Sequence, residues 1–184
     1  VCAIRDRAGV MDEGRTYYFE IDDLAKDLDE RSLYYGCMKA VQAADSARRA
    51  FAAIRADHPA GLDTAHFDFA TPIGRIVLAG TGNDLHAVAD AAILVDLGGD
   101  DRYTGPVGGT PSLEVPVSVA IDCAGSDTYE YAGEAPSQGA GVLGAGVLVD
   151  DAGDDIYRAR QYAQGLGVFG LGLLFDREGQ DQYE

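Results

Sequence analysis

Four copies of one eight-residue pattern hold most of the side chains in this chain that could do chemistry. Residues 96–103 (DLGGDDRY), 122–129 (DCAGSDTY), 150–157 (DDAGDDIY) and 176–183 (DREGQDQY) all read D-x-x-G-x-D-x-Y. The leading carboxylates are Asp96, Asp122, Asp150 and Asp176. The second set is Asp101, Asp127, Asp155 and Asp181, and the glycines between them are Gly99, Gly125, Gly153 and Gly179. Paired carboxylates beside a glycine turn are hard oxygen donors, and the carbonyls of such a turn add more. That is ligand chemistry for Ca²⁺, which takes six to eight oxygens. These Asp and Gly residues are therefore the candidate metal ligands, with Ca²⁺ as the cofactor they imply. No sequence-adjacent Cys/His set suggests zinc.

The elements that must position these residues follow from the spacing. Successive copies start 26, 28 and 26 residues apart, and each is preceded by a short apolar run: 93–95, 119–121, 147–149 and 173–175. At roughly 3.3 Å per residue a unit of this length accommodates three short strands and three corners. The fold class predicted is mainly β: a parallel β-solenoid of about 26-residue coils with an N-terminal α-helical cap. Stacked coils place equivalent residues in ladders about 4.8 Å apart. Tyr103, Tyr129, Tyr157 and Tyr183 then stack, and the repeated glycines share a corner, one expected to need positive φ. The two aspartate ladders would repel unless neutralised, and a cation between coils removes the conflict. Asx turns, in which Asp accepts backbone N–H bonds without metal, are the competing explanation. Asp100, Asp151 and Asp154 favour the cation, because turn geometry does not require them.

Upstream, residues 79–86 (AGTGNDLH) form a degenerate copy in which Ala79 replaces the first Asp and His86 the Tyr. It reads as the opening coil of the array. A second repeat is interleaved, residues 138–147 matching 164–173 glycine for glycine. Each contains G-x-G-x-x-G, but neither runs into a helix as a dinucleotide site requires. The small residues instead imply close approach of backbone, in strands buried on both sides.

The chain divides at about residue 65, into an N-terminal helical cap or linker (1–65) and the solenoid (66–184). Tyr34, Met38, Val41, Ala44, Ala47, Phe51 and Ile54 recur at spacings of three and four, the period of a helix face. Asp22, Asp23 or Asp29 could cap its start, Gly36 could divide it in two, and residues 58–61 (HPAG) end it. Residues 16–21 (TYYFEI) read as a strand, and Cys2 could pair with Cys37.

Composition narrows the function classes. The 184 residues carry 14 Lys+Arg against 31 Asp+Glu, a net charge of −17, with nearly all the excess acid in the glycine-rich second part. Nucleic-acid binding is excluded for want of clustered basic residues. No apolar run reaches 18 residues, so no transmembrane helix is expected. Three Cys are too few for a disulfide scaffold. Cys123 sits at a variable repeat position and is expected free at the surface. His58, His66 and His86 lie in no catalytic motif and are read as structural.

At the Gly-x-Asp corners the sequence resembles the RTX-type calcium-binding repeats of secreted bacterial proteins, whose nonapeptide is G-G-x-G-x-D-x-U-x. Residues 99–103, with the corners at 82–84, 125–127, 153–155 and 179–181, match its G-x-D portion. The period here is 26 to 28 residues rather than tandem nines. The resemblance implies Ca²⁺ at the turns of an exported protein.

The function expected is a structural or interaction module: a calcium-stabilised extracellular or cell-surface β-solenoid. Its last coil offers an edge for head-to-tail self-association into assemblies or filaments. The alternatives are a polysaccharide-active enzyme, lyase or glycosidase, on a β-helix, and a non-catalytic carbohydrate-binding module. The latter would recognise a glycan or cell-surface partner through Tyr131 and Tyr162.

Overall fold

The computed structural model describes residues 27–58 and 61–184. The strand expected at 16–21, Cys2, and the alternative caps Asp22 and Asp23 lie outside the described residues.

Among the described residues one helix comes first. Helix α1 (Glu30–Asp57) starts where Asp29 accepts hydrogen bonds from the Ser32 N–H at 3.1 Å and the Ser32 hydroxyl at 2.6 Å. That N-cap satisfies one of the orphan donors of the first turn. The helix ends at His58, ahead of Pro59. Gly36 does not divide it. The residue is exposed, and the helix runs through it at the roughly 1 kcal/mol that glycine costs in a helix interior.

The remainder winds into a solenoid. The hairpin of β1 (His66–Thr71) and β2 (Gly74–Ala79) is antiparallel, and β3 (Leu85–His86) completes the opening coil. The next coil holds β4 (Ala91–Asp96) and β5 (Arg102–Tyr103). The third holds β6 (Val117–Asp122), β7 (Thr128–Tyr131) and β8 (Gly141–Val142). The fourth holds β9 (Ala145–Asp150), β10 (Ile156–Ala159) and β11 (Gly167–Val168), and the last β12 (Leu171–Asp176) and β13 (Gln182–Tyr183). Three faces result. The first is a sheet ordered β1-β2-β4-β6-β9-β12, the second β3-β5-β7-β10-β13, and the third the short pair β8-β11. Apart from β1, every pairing is parallel, so the fold is the parallel β-solenoid with a helical segment that the spacing predicts.

The third face is incomplete in the coil after β5. Residues 104–116 contain Pro106, Pro111 and Pro116, which lack the N–H a ladder requires. Thr110 substitutes a side chain for the missing strand: its hydroxyl accepts from the Val142 N–H at 2.8 Å.

Two apolar layers flank the first sheet. Inside, Val77, Leu94, Ala120 and Leu148 pack against Tyr103, Tyr129 and Tyr157. Outside, α1 lies over β6 and β9, with Val41, Ala44, Ala47 and Phe51 against Val95, Ile121, Val147 and Val149. Strand β9 is therefore buried on both sides, as its unbroken apolar run implied, whereas β12, read the same way, is only partly buried because it lies at the edge of the sheet. The contact face of α1 is narrower than the sequence face. Tyr34, Met38 and Ile54 are exposed, and Cys37 is buried in their place.

Cys123 is also a correction. It is a buried free thiol packed in the cluster under α1, and burial pushes its pKa up to about 12. A variable repeat position became internal because the helix covers that part of the array, which the repeat itself does not record. The Cys37 thiol is likewise buried and donates to the Gly144 carbonyl at 3.6 Å.

Candidate metal centre

The corner between the first and second sheets carries the repeated residues. Asp96, Asp122, Asp150 and Asp176 end β4, β6, β9 and β12, and they pair in register across the sheet. Asp101, Asp127, Asp155 and Asp181 immediately precede β5, β7, β10 and β13. Gly99, Gly125, Gly153 and Gly179 turn the chain between the two sets. The predicted positive φ holds at Gly99 (142°), Gly125 (155°) and Gly179 (157°), but not at Gly153. The requirement common to all four is space. A Cβ on Gly125 would overlap the Gly99 carbonyl oxygen, one on Gly153 that of Gly125, and one on Gly179 that of Gly153. The interleaved repeat obeys the same rule, since a Cβ on Gly146 would overlap the Ala140 carbonyl.

The tyrosines stack inside this corner. Ring centroids are 4.5 Å apart for Tyr103–Tyr129, 4.7 Å for Tyr129–Tyr157 and 4.8 Å for Tyr157–Tyr183. His86 heads the column, 4.7 Å from Tyr103, so the degenerate copy is a true coil. The hydroxyls serve the leading carboxylates: Tyr103 donates to Asp122 Oδ2, and Tyr129 to Asp150 Oδ2 at 2.7 Å. Tyr183 donates to Asp176 Oδ2 at 3.0 Å, and His86 Nε2 lies 2.6 Å from Asp96 Oδ2.

Backbone N–H groups account for part of the carboxylate oxygens. Asp96 Oδ1 accepts from the Gly98 N–H at 2.9 Å and Asp122 Oδ1 from the Ala124 N–H at 3.0 Å, both Asx turns. In the second set each Oδ1 accepts the main-chain N–H of the preceding coil. Asp84 donates to Asp101 at 2.6 Å, Asp101 to Asp127 at 2.6 Å, Asp127 to Asp155 at 2.7 Å and Asp155 to Asp181 at 3.0 Å.

Five oxygens have no partner among the described residues. Asp101 Oδ2, Asp127 Oδ2, Asp155 Oδ2, Asp150 Oδ1 and Asp176 Oδ1 are buried without a hydrogen-bond partner. An unsatisfied buried polar atom costs about 1–3 kcal/mol, and more when charged. The residues that carry them belong to three carboxylate clusters, each with one ligand atom per residue within 4.8 Å of the others: Asp96–Asp101–Asp122, Asp127–Asp150–Asp155 and Asp155–Asp176–Asp181. Burial pushes Asp101, Asp150 and Asp155 up to about 7 and Asp127 to about 8, with neighbouring carboxylates adding to the shift. Asp122 and Asp176 are raised by the same causes. Each cluster therefore lacks positive charge, which protons or a cation would supply. The donor set suits a hard divalent ion.

All the predicted Asp positions converge on this corner. The predicted glycines contribute close packing, and Gly99, Gly125 and Gly153 place their carbonyls against the next coil. The three extra acids do not join the clusters. Asp100 Oδ1 accepts from the Ser126 N–H and Asp154 Oδ1 from the Gln180 N–H, each at 3.0 Å, in an outer ladder of turn residues. Asp151 pairs with Arg48 of α1 at 3.2 Å and with Arg177 at 3.1 Å. Their presence thus has a structural account without metal.

Sequence reasoning missed a fourth grouping: Asp84, His86 and Asp96 also bring ligand atoms within 4.8 Å of one another. The signal available was the His substituted into the Tyr position, one coil away from an aspartate of the leading set. On the outside, a shallow groove over β7 and β10 is lined by Glu130, Tyr131, Arg158, Arg160 and Glu184. Tyr162 is exposed. Among the described residues no helix is long and apolar enough to cross a membrane. Comparison with family models, curated proteins and solved structures gave no match.

Proposed function

We propose that this chain is a structural and interaction module of an exported protein, a β-solenoid whose coils are clamped together by Ca²⁺. The observation that carries the reading is the set of orphaned buried carboxylate oxygens, recurring in three coil-to-coil clusters. A divalent ion between coils would give these oxygens a partner and offset the like-charge repulsion. It binds the folded ladders and not the unfolded chain, so its binding free energy is folding free energy. Such a module is loosened in the low calcium of a cytosol and tightened outside the cell, which fits the RTX-like corners and an extracellular or cell-surface location.

The test is thermal melting at pH 7.5 in Ca²⁺ and in excess EDTA, with calcium counted by elemental analysis. The expected result is a midpoint lower by tens of degrees in EDTA. An unchanged midpoint with no bound calcium overturns the reading. Asp127→Asn sharpens it: the variant keeps the Oδ1 acceptor and replaces the orphaned oxygen by an amide. It should melt higher than wild type in EDTA and gain less from Ca²⁺.

Two partner surfaces belong to this reading. The outer edge of β12 is unpaired, with Phe175 and Tyr183 about half exposed beside it. A second copy stacking there would meet the antiparallel β1 edge, giving head-to-tail association that light scattering in Ca²⁺ tests. The groove at Tyr131, with Arg158 and Arg160 beside Glu130 and Glu184, offers a glycan or other surface polymer one aromatic edge and charges of both signs. A glycan array separates that binding from a purely structural role.

A further inference from the structure

The opening coil differs from the others at one position that bears on ligand chemistry. Where later coils place Tyr in the stack it places His86, whose ring is 5% exposed and reaches Asp96 Oδ2 through Nε2 at 2.6 Å. Asp84, less buried than the other two, completes a set whose three ligand atoms lie within 4.8 Å of one another. Asp101 adjoins the set. It is 3% exposed, and its Oδ1 accepts from the Asp84 N–H at 2.6 Å. Its carboxylate lies within 4.8 Å of that of Asp96, and its Oδ2 is buried without a partner.

We propose that Asp84, His86 and Asp96, with the orphaned Asp101 oxygen beside them, form a site for a first-row divalent transition cation of the zinc class. The donor mix separates it from the all-carboxylate clusters further along the array. Carboxylate sets suit Ca²⁺ and Mg²⁺, whereas an imidazole shifts preference toward Zn²⁺ and its neighbours. Nε2 and Asp96 Oδ2, which now share a hydrogen bond, both turn to the ion. Asp84 gives the site an opening to solvent that the internal clusters lack. The site shares Asp96 and Asp101 with the first carboxylate cluster but none of its donors with the later ones, so it does not depend on calcium filling those.

The experiment titrates the full chain with Co²⁺, whose visible absorption reports its ligands, and then adds Zn²⁺ or Ca²⁺. The expected result is saturable Co²⁺ absorption that Zn²⁺ displaces and Ca²⁺ does not. His86→Tyr installs the side chain that every later coil carries, so it should fold, keep its Ca²⁺ response and lose the Co²⁺ spectrum. Asp84→Asn, at the rim, should weaken Co²⁺ by about tenfold, the scale seen when a supporting group of a metal site is removed. No Co²⁺ uptake by the wild type, or equal uptake by His86→Tyr, overturns the proposal. A wild type that takes Co²⁺ but shows no Ca²⁺ response supports this site and overturns the calcium reading alone.

Discussion

The opening coil and the coil that starts at β6 follow the same track but are lined differently. Around β6 the corner holds two carboxylates and a tyrosine, Asp122, Asp127 and Tyr129, all within 1% of full burial. In the opening coil Ala79 stands in the leading position, Asp84 is less buried than Asp127, and His86 fills the aromatic place. Both corners stack, because ring packing and backbone pairing do not depend on the carboxylates. What the internal coils add is a dense column of buried acid. Repetition in this molecule therefore has two layers: a geometric one that all the coils share, and an electrostatic one confined to those after Ile93.

The largest break in that comparison is steric. Gly125→Ala should abolish folding or cost more than about 4 kcal/mol, since its Cβ has no space beneath the Gly99 carbonyl. Circular dichroism and melting would read it, and a variant within a degree or two of wild type would mean that the coils are not stacked this closely.

Next comes pH, measured in EDTA. The buried carboxyls titrate at about 7 to 8 in the folded chain and near 3.8 unfolded. Between those values the native state holds protons that the unfolded state has released, so stability falls as pH rises. The melting midpoint of the cation-free protein should be higher at pH 5 than at pH 8. Asp127→Asn should flatten that slope. A midpoint that climbs toward pH 8 would contradict the buried column.

Smaller effects refine the picture. Tyr129→Phe removes the shorter of two donors to Asp150 Oδ2, at 2.7 Å, and leaves Tyr157 at 3.4 Å, so it should cost about 0.5–1.5 kcal/mol by urea denaturation. His86→Tyr, by contrast, extends the stack and should change stability by less than about 1 kcal/mol. The smallest is Arg102→Ala. Its ion pair with Glu130 lies on the outer surface at 2.8 Å with both side chains exposed, so the loss should stay below about 0.5 kcal/mol.

The periodic part of this architecture was legible in the chain itself. A 26-residue step with an apolar run before each Asp allows little besides stacked coils, and His86 in the Tyr column follows from the same alignment. Asp29 was one of three caps that the sequence offered, and the start of the helix at Glu30 selects it. The contacts that cross the repeat were not. That α1 buries Cys123, and that Asp151 pairs with Arg48 more than a hundred positions away, depend on where a helix docks. The role of Asp100 and Asp154 was misread for a related reason. Their acceptors serve backbone donors one coil further on, and within a single copy they look like surplus charge.

The second-set carboxylates have one more property. Every bond in that ladder runs the same way: the N–H of one coil is received by the aspartate of the coil after it. The array is therefore directional. Removing a coil from the C-terminal side leaves a bare donor on its neighbour, while removing one from the N-terminal side leaves a bare acceptor. During synthesis the chain emerges in the order that postpones satisfaction, each corner waiting for the next aspartate to leave the ribosome. A coil in this protein is finished only by its successor.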